Sequence, residues 1–168
     1  MTIILNSEVL SELTRSGNLR VIRKVQKVHG NCNYYFTPTI GINLYNPRVK
    51  FVDKKFIVFV FDKYKNSGLF SLLKHIDSVL QNLVKKSNSE VYDKEMYSLF
   101  SEDETEFVIR CYLPNKMGKY LIHTDCDNFH LPRSGAMYEM VTVEFRNIWK
   151  TGVRIGFNTE LKFAKIGD

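Results

Sequence analysis

The sequence predicts a mainly β domain with α+β helix content: an antiparallel barrel carrying one inserted amphipathic helix at about 68–85. Three observations predict it. Apolar residues alternate with a period of two before residue 62 and again after residue 106, and turn residues recur between those runs at hairpin spacing. A period of three to four takes over only once, at Leu69, Leu72, Leu73, Ile76, Leu80 and Leu83. Strands joined by hairpins, rather than alternating with helices, disfavour a parallel α/β sheet.

Residues 1–14 read as a peripheral arm of a single domain spanning 1–168. Over 19–28, apolar residues fall at Leu19, Val21, Val25 and, after a slip, Val28, which predicts a strand with a bulge. Residues 33–45 alternate at Ile40, Ile42 and Leu44, and Pro38 forces an edge position or a break. Asn46-Pro47 is a turn. The β-prone run at 51–61 is interrupted by Asp53-Lys54-Lys55, and its continuous apolar half, 56–61, should be buried on both faces. The helix follows, with Ser67 available as its N-cap. Residues 85–95 read as a loop, 96–100 as a short strand, and the acidic run 102–106 as an exposed loop before a strand at 107–113. The turn 114–118 should link that strand to 119–123, and Thr151-Gly152 should link 140–149 to 153–157. A last strand covers 161–166.

Composition bounds the function. A chain of 168 residues, 44% hydrophobic and 13% aromatic, can bury a core and is not disordered throughout. It has no run near the roughly 20 apolar residues that a membrane helix needs, and its start lacks the basic and small-residue pattern of a signal peptide, so we expect no membrane partner and an intracellular location. Cys32, Cys111 and Cys126 are odd in number and widely spaced, which fits neither a disulfide framework nor a zinc ribbon. The net charge of +6 is concentrated, because residues 15–65 hold eleven Lys or Arg against two Asp. A one-sided basic surface suits a polyanion, since each neutralised phosphate releases condensed counterions; the alternative is a solvated face that keeps the protein soluble.

Aromatic residues interleave with that charge. A groove for single strands needs cations for the backbone and flat rings for the bases. Arg20, Arg23, Lys24 and Lys27 precede Tyr34 and Tyr35; Tyr45 stands beside Arg48 and Lys50; Lys119 precedes Tyr120. By alternation Tyr34 and Phe36 share one face and Tyr35 takes the other, so part of this cluster is core. In the terminal hairpin, Val141, Val143, Phe145 and Trp149 fall on one face, and Arg146, Ile148, Lys150 and Arg154 on the other, as a phosphate track. Trp149, by this phase, is a core anchor first and a stacking platform second.

The pattern Ile148-Trp149-x-x-Gly152-Val153-x-Ile155-Gly156-Phe157, followed by Leu161-Lys162-Phe163-Ala164-Lys165-Ile166, resembles the C-terminal pattern of single-stranded DNA-binding proteins of large DNA viruses. The order of helix, Ile109-x-x-x-Leu113-Pro114 strand and terminal hairpin is similar to that family too, so the likeness covers the chain from the helix onward. The resemblance implies an OB-fold core, protection of single-stranded DNA in viral replication or recombination, no cofactor, and sites of action in the host cytoplasm or nucleus. Self-association and contacts with replication proteins belong to the same implication. Phage relatives end in an acidic tail; here Asp168 stands alone, and the run 102–106 is the segment that would substitute.

Enzymatic readings are weaker. His123, Asp125, Cys126, Asp127 and His130 are dense in metal-ligand types, yet their spacing matches no standard zinc or calcium site. Asp125 and Asp127 holding Mg²⁺ for strand cleavage is the nuclease alternative, although loops are naturally rich in such residues. No GxxxxGK, GxGxxG or GxSxG sequence occurs, so the expected protein is not an enzyme and holds no metal. An interaction protein using the 69–83 face as an oligomer surface, and an RNA ligand, stay open.

Overall fold

The computed structural model of the chain describes residues 2–25, 32–87, 95–126, 128–150 and 153–166. It is mainly β with a mixed sheet and two helices. The strands are β1 (Ile3–Ile4), β2 (Arg20–Val25), β3 (Cys32–Tyr45), β4 (Arg48–Val52), β5 (Phe56–Asp62), β6 (Glu95–Met96), β7 (Ser101–Glu102), β8 (Glu106–Tyr112), β9 (Asn115–Lys116), β10 (Lys119–Tyr120), β11 (His123–Thr124), β12 (Met140–Lys150) and β13 (Arg154–Lys165). The main sheet runs β1-β3-β12-β13-β8-β5-β4, with β2 beside β3 and β6, β7 and β11 on its margins.

Two apolar ladders build the core. Val141, Val143 and Phe145 of β12 oppose Leu44, Ile42 and Ile40 of β3, all buried, because period-two alternation sends each set to one face. Ile57, Phe59 and Phe61 of β5 do the same against Cys111, Ile109 and Phe107 of β8. Helix α2 (Ser67–Ser87) adds Leu73, Ile76, Leu80 and Val84, so the face read as an oligomer surface is largely occupied within the chain. Its first helical residue is Ser67 rather than a cap, and the Asn66 carbonyl accepts the first bond, from the Phe70 N–H at 2.9 Å.

Several expectations are corrected. The sheet is not purely antiparallel: β1 on β3, and β6, β8 and β11 on β13, are parallel pairs. No ladder of the described residues closes it into a barrel. A second helix, α1 (Ser7–Ser16), occupies the segment read as an arm, with Leu10 fully buried. Asn6 caps it by accepting the Val9 N–H at 2.8 Å, and Gly17 ends it with φ of 70°. Residues 119–123 do not pair with β8, both of whose edges are taken, by β5 on one side and by β7 and β13 on the other; Lys119–Tyr120 instead folds back on Asn115–Lys116. Of the strand expected at 96–100, only Glu95–Met96 forms, and the two terminal segments 153–157 and 161–166 are one strand, β13. The Thr151-Gly152 turn lies outside the described residues.

Pro38 falls at a break, one in the pairing on both sides of β3, while the strand itself continues through it. The β3–β12 ladder steps from Ile40↔Phe145 to Tyr35↔Asn147, leaving residues 36–39 without partners on β12. On the other edge, β2 pairs only up to Thr37 and β1 begins at Ile40. A residue without an N–H is harmless where both ladders are interrupted.

Candidate nucleic-acid interface

The interruption at Pro38 reshapes the terminal hairpin. Opposite it, Arg146 is an extra residue on β12 against β13, since Phe145↔Thr159 is followed by Asn147↔Asn158, while on the other side it stands against the unpaired residues 36–39 of β3. One inserted residue inverts the phase of everything after it. Ile148, assigned to the polar face by alternation, is therefore 2% exposed, and Trp149 turns outward, half-buried, over Gly156. A Cβ on Gly156 would stand 2.5 Å from Trp149 Cζ2, so the missing side chain is what lets the indole lie on the strand.

Trp149 lines a groove of about 570 Å³ between β13 and β8. The two strands share only the Glu160↔Tyr112 pair, near which the Thr159 hydroxyl donates to the Arg110 carbonyl at 2.6 Å. Beyond that point they are bridged by residues 95–102, which pair with β13 through β6 and with β8 through β7. Asp77 pins this bridge to α2 by accepting the Leu99 N–H at 2.9 Å. Tyr97, on the bridge and 39% exposed, lies 5.7 Å from Trp149, and the Arg154 guanidinium stands 5.6 Å over its ring. Phe100 and Phe157 complete the aromatic wall.

A second hollow, about 370 Å³, shares Arg110 with the groove and continues past it to Phe56, Tyr112 and Arg146. Arg110 stands 4.4 Å over the Phe56 ring. On the same outer face the register aligns Arg48, Val60 and Val108 in one row and Phe51, Val58 and Arg110 in the next. The exposed side of β4, β5 and β8 thus carries cations and rings leading toward the groove.

The cations are not idle. Arg146 lies between two nearly buried carboxylates that face each other across β12 and β13, with Nη1 3.1 Å from Glu144 and Nε 3.0 Å from Glu160. Thr2 also donates to Glu144, at 2.6 Å. Arg154 lies 3.9 Å from Glu95, and Arg48 3.6 Å from Glu106. The acidic run contributes here: Glu106 faces Arg48, and Glu102 is 3.5 Å from Lys63.

Of the residues singled out by sequence, Trp149 lines the groove and Arg146 the hollow, and Arg154 stands over the groove residue Tyr97. Tyr34 is core, 1% exposed, whereas Tyr35 is half-buried. Arg20 is exposed on β2, away from that pair of strands. Tyr45, Arg48 and Lys50 are exposed around the β3–β4 turn, and Arg48 and Lys50 share a separate hollow with Ser134. Lys119 is exposed on the small β9–β10 hairpin, where the Tyr120 hydroxyl donates to the Lys54 carbonyl at 3.1 Å. Arg23 and Lys24 lie on β2, but their side chains, like that of Lys150, are outside the described residues, as is Lys27 entirely. Of the three-cation track, Arg146 lines the second hollow and Arg154 stands over Tyr97, and the Lys150 side chain lies outside the described residues. Sequence reasoning missed Arg110, Tyr97, Phe56 and Tyr112. Arg110 could have been found, as the one cation inside the apolar strand 107–113.

Asp125 is exposed and Asp127 lies outside the described residues, among which no group of three His, Cys, Asp or Glu side chains comes together. Also among the described residues, no helix is long and apolar enough to cross a membrane. No family model matches the chain, and no curated protein matches it.

Proposed function

We propose that this protein binds single-stranded DNA along the β13–β8 groove, protecting exposed strands during replication or recombination without acting on them chemically. The carrying observation is the Tyr97–Trp149 ring pair capped by Arg154 and followed by Arg110, a sequence of stacking platforms and cations. Base stacking on such rings contributes about 1–3 kcal/mol per base and is largely indifferent to base identity. An OB-type barrel is the architecture that fits this reading. In its favour, residues 135–138, which lead into β12, run beside the edge strand β4, with an Arg48–Met137 bridge and the Val49 N–H donating to the Ala136 carbonyl at 2.8 Å.

Fluorescence anisotropy with labelled dT oligonucleotide, duplex DNA and RNA over a salt series tests the proposal. Single strands should bind most tightly, lose affinity as salt rises, and quench the sole tryptophan; no binding at low salt would sink the reading. Incubating labelled strands with Mg²⁺ or Mn²⁺ separates the nuclease alternative, which requires cleavage that Asp125→Ala abolishes.

A further inference from the structure

The hollow past Arg110 differs chemically from the groove it adjoins. The groove offers ring faces, which accept any base; the hollow offers hydrogen-bonding side chains beside rings. Asn158 Nδ2 donates to Asn147 Oδ1 at 2.7 Å, and an amide pair joined by one bond leaves one carbonyl oxygen and one amino group over, whichever way the amides are turned. Neither remaining group has a partner among the described residues.

Above them, Arg110 is stacked on Phe56 and forms no salt bridge with a carboxylate of the described residues, so its fork of donors stays available. The Tyr112 ring, 41% exposed and 5.9 Å from Phe56, offers a face at the hollow's edge. At about 370 Å³ the space lies within the roughly 300–1,000 Å³ typical of small-ligand sites.

Guanine is the base whose edges suit this set. It alone places two acceptors, O6 and N7, side by side for a guanidinium fork while carrying N–H donors at N1 and N2 for an amide oxygen. Adenine sets a donor beside N7, and the pyrimidines have no such acceptor pair. We infer that the hollow is a guanine-selective subsite, with Arg110 donating to O6 and N7 and the Asn147–Asn158 pair accepting from the N1 and N2 edge. The inference rests on the single-strand reading and adds to it one nucleotide recognised by its base.

The test compares labelled dT oligonucleotides that are uniform or carry one guanine, one adenine or one hypoxanthine, which lacks the N2 amino group. The guanine strand should bind roughly tenfold tighter than the uniform and adenine strands, with hypoxanthine between them. Asn158→Ala, on an exposed side chain, should bring the ratio of guanine to uniform-strand affinity toward one. Equal affinities for all four strands, with binding intact, overturn the subsite and leave the single-strand reading standing. A guanine advantage that Asn158→Ala and Asn147→Ala both leave in full also overturns it, and failure to bind any strand overturns both.

Discussion

Gly156 and Trp149 form the contact on which the groove depends. Alanine at 156 would push Cβ into the indole at 2.5–2.8 Å, so the half-buried ring, packed against Tyr97 at 5.7 Å, would have to shift. Gly156→Ala should destabilise the protein by about 1–3 kcal/mol in urea unfolding, shift tryptophan emission to longer wavelength and weaken oligonucleotide binding. Cys111 and Cys126 make a contrast of exposure. Burial pushes the Cys111 thiol up to about 12, partly opposed by a hydrogen bond with Thr159, while Cys126 is exposed. Only the thiolate reacts, so a disulfide reagent should modify Cys126 in the native protein and reach Cys111 only on unfolding. Peptide mapping reads this directly, and rapid native modification of Cys111 would contradict the buried position of β8.

Among the elements, the hairpin turns are held by aspartates read in the sequence as an interruption and as a loop. Asp53 Oδ1 accepts the Lys55 and Phe56 N–H groups at 2.7 Å, and Asp103 Oδ1 accepts those of Thr105 and Glu106 at 2.8 Å. These backbone bonds hold both carboxyls below their ordinary value of 3.8. A depressed folded value means stability fully present above pH 3.8 and lost as the pH falls through the folded value. Comparing wild type with the Asp53→Asn, Asp103→Asn double variant, which keeps the turn-forming side-chain oxygen, the stability difference should shrink as the pH drops below 3.8. Urea midpoints over that range measure it. Helix α1 belongs to this scale as well. Its signals were present in Asn6, Gly17 and the Val9, Leu10, Leu13 spacing, but ten residues with two glutamates resemble an arm unless the burial of Leu10 is known.

For the whole molecule, charge is balanced as well as concentrated. Cations on three parts of the interface face carboxylates, Arg48 with Glu106, Arg146 with Glu144 and Glu160, and Arg154 with Glu95. A phosphate must replace those partners, so counterion release on binding should be smaller than a count of basic residues implies. Removing one competitor tests this: Glu95→Gln, on an exposed side chain, should strengthen dT binding and steepen its salt dependence by removing one carboxylate that competes with phosphate for Arg154. Unchanged affinity across the salt series would place Arg154 outside the bound strand's path.

Sequence by itself determined the β-rich class, helix α2, the inward face of the first half of β12, and the split between Tyr34 and Tyr35, because side-chain phase and helical period are local properties. It did not determine β5, expected to be buried on both faces, where Phe56 and Val58 are only half-buried because that side of the strand lacks the cover that the core gives Ile57 and Phe59. Tertiary structure alone decided where that phase breaks. Pro38 on β3 and Arg146 on β12 are far apart in sequence, and the interruption they share turns Trp149 from the core to the surface. The groove likewise joins residues 95–102 to β8 and β13, and the pairing of its arginines with glutamates depends on distances that no period in a sequence encodes.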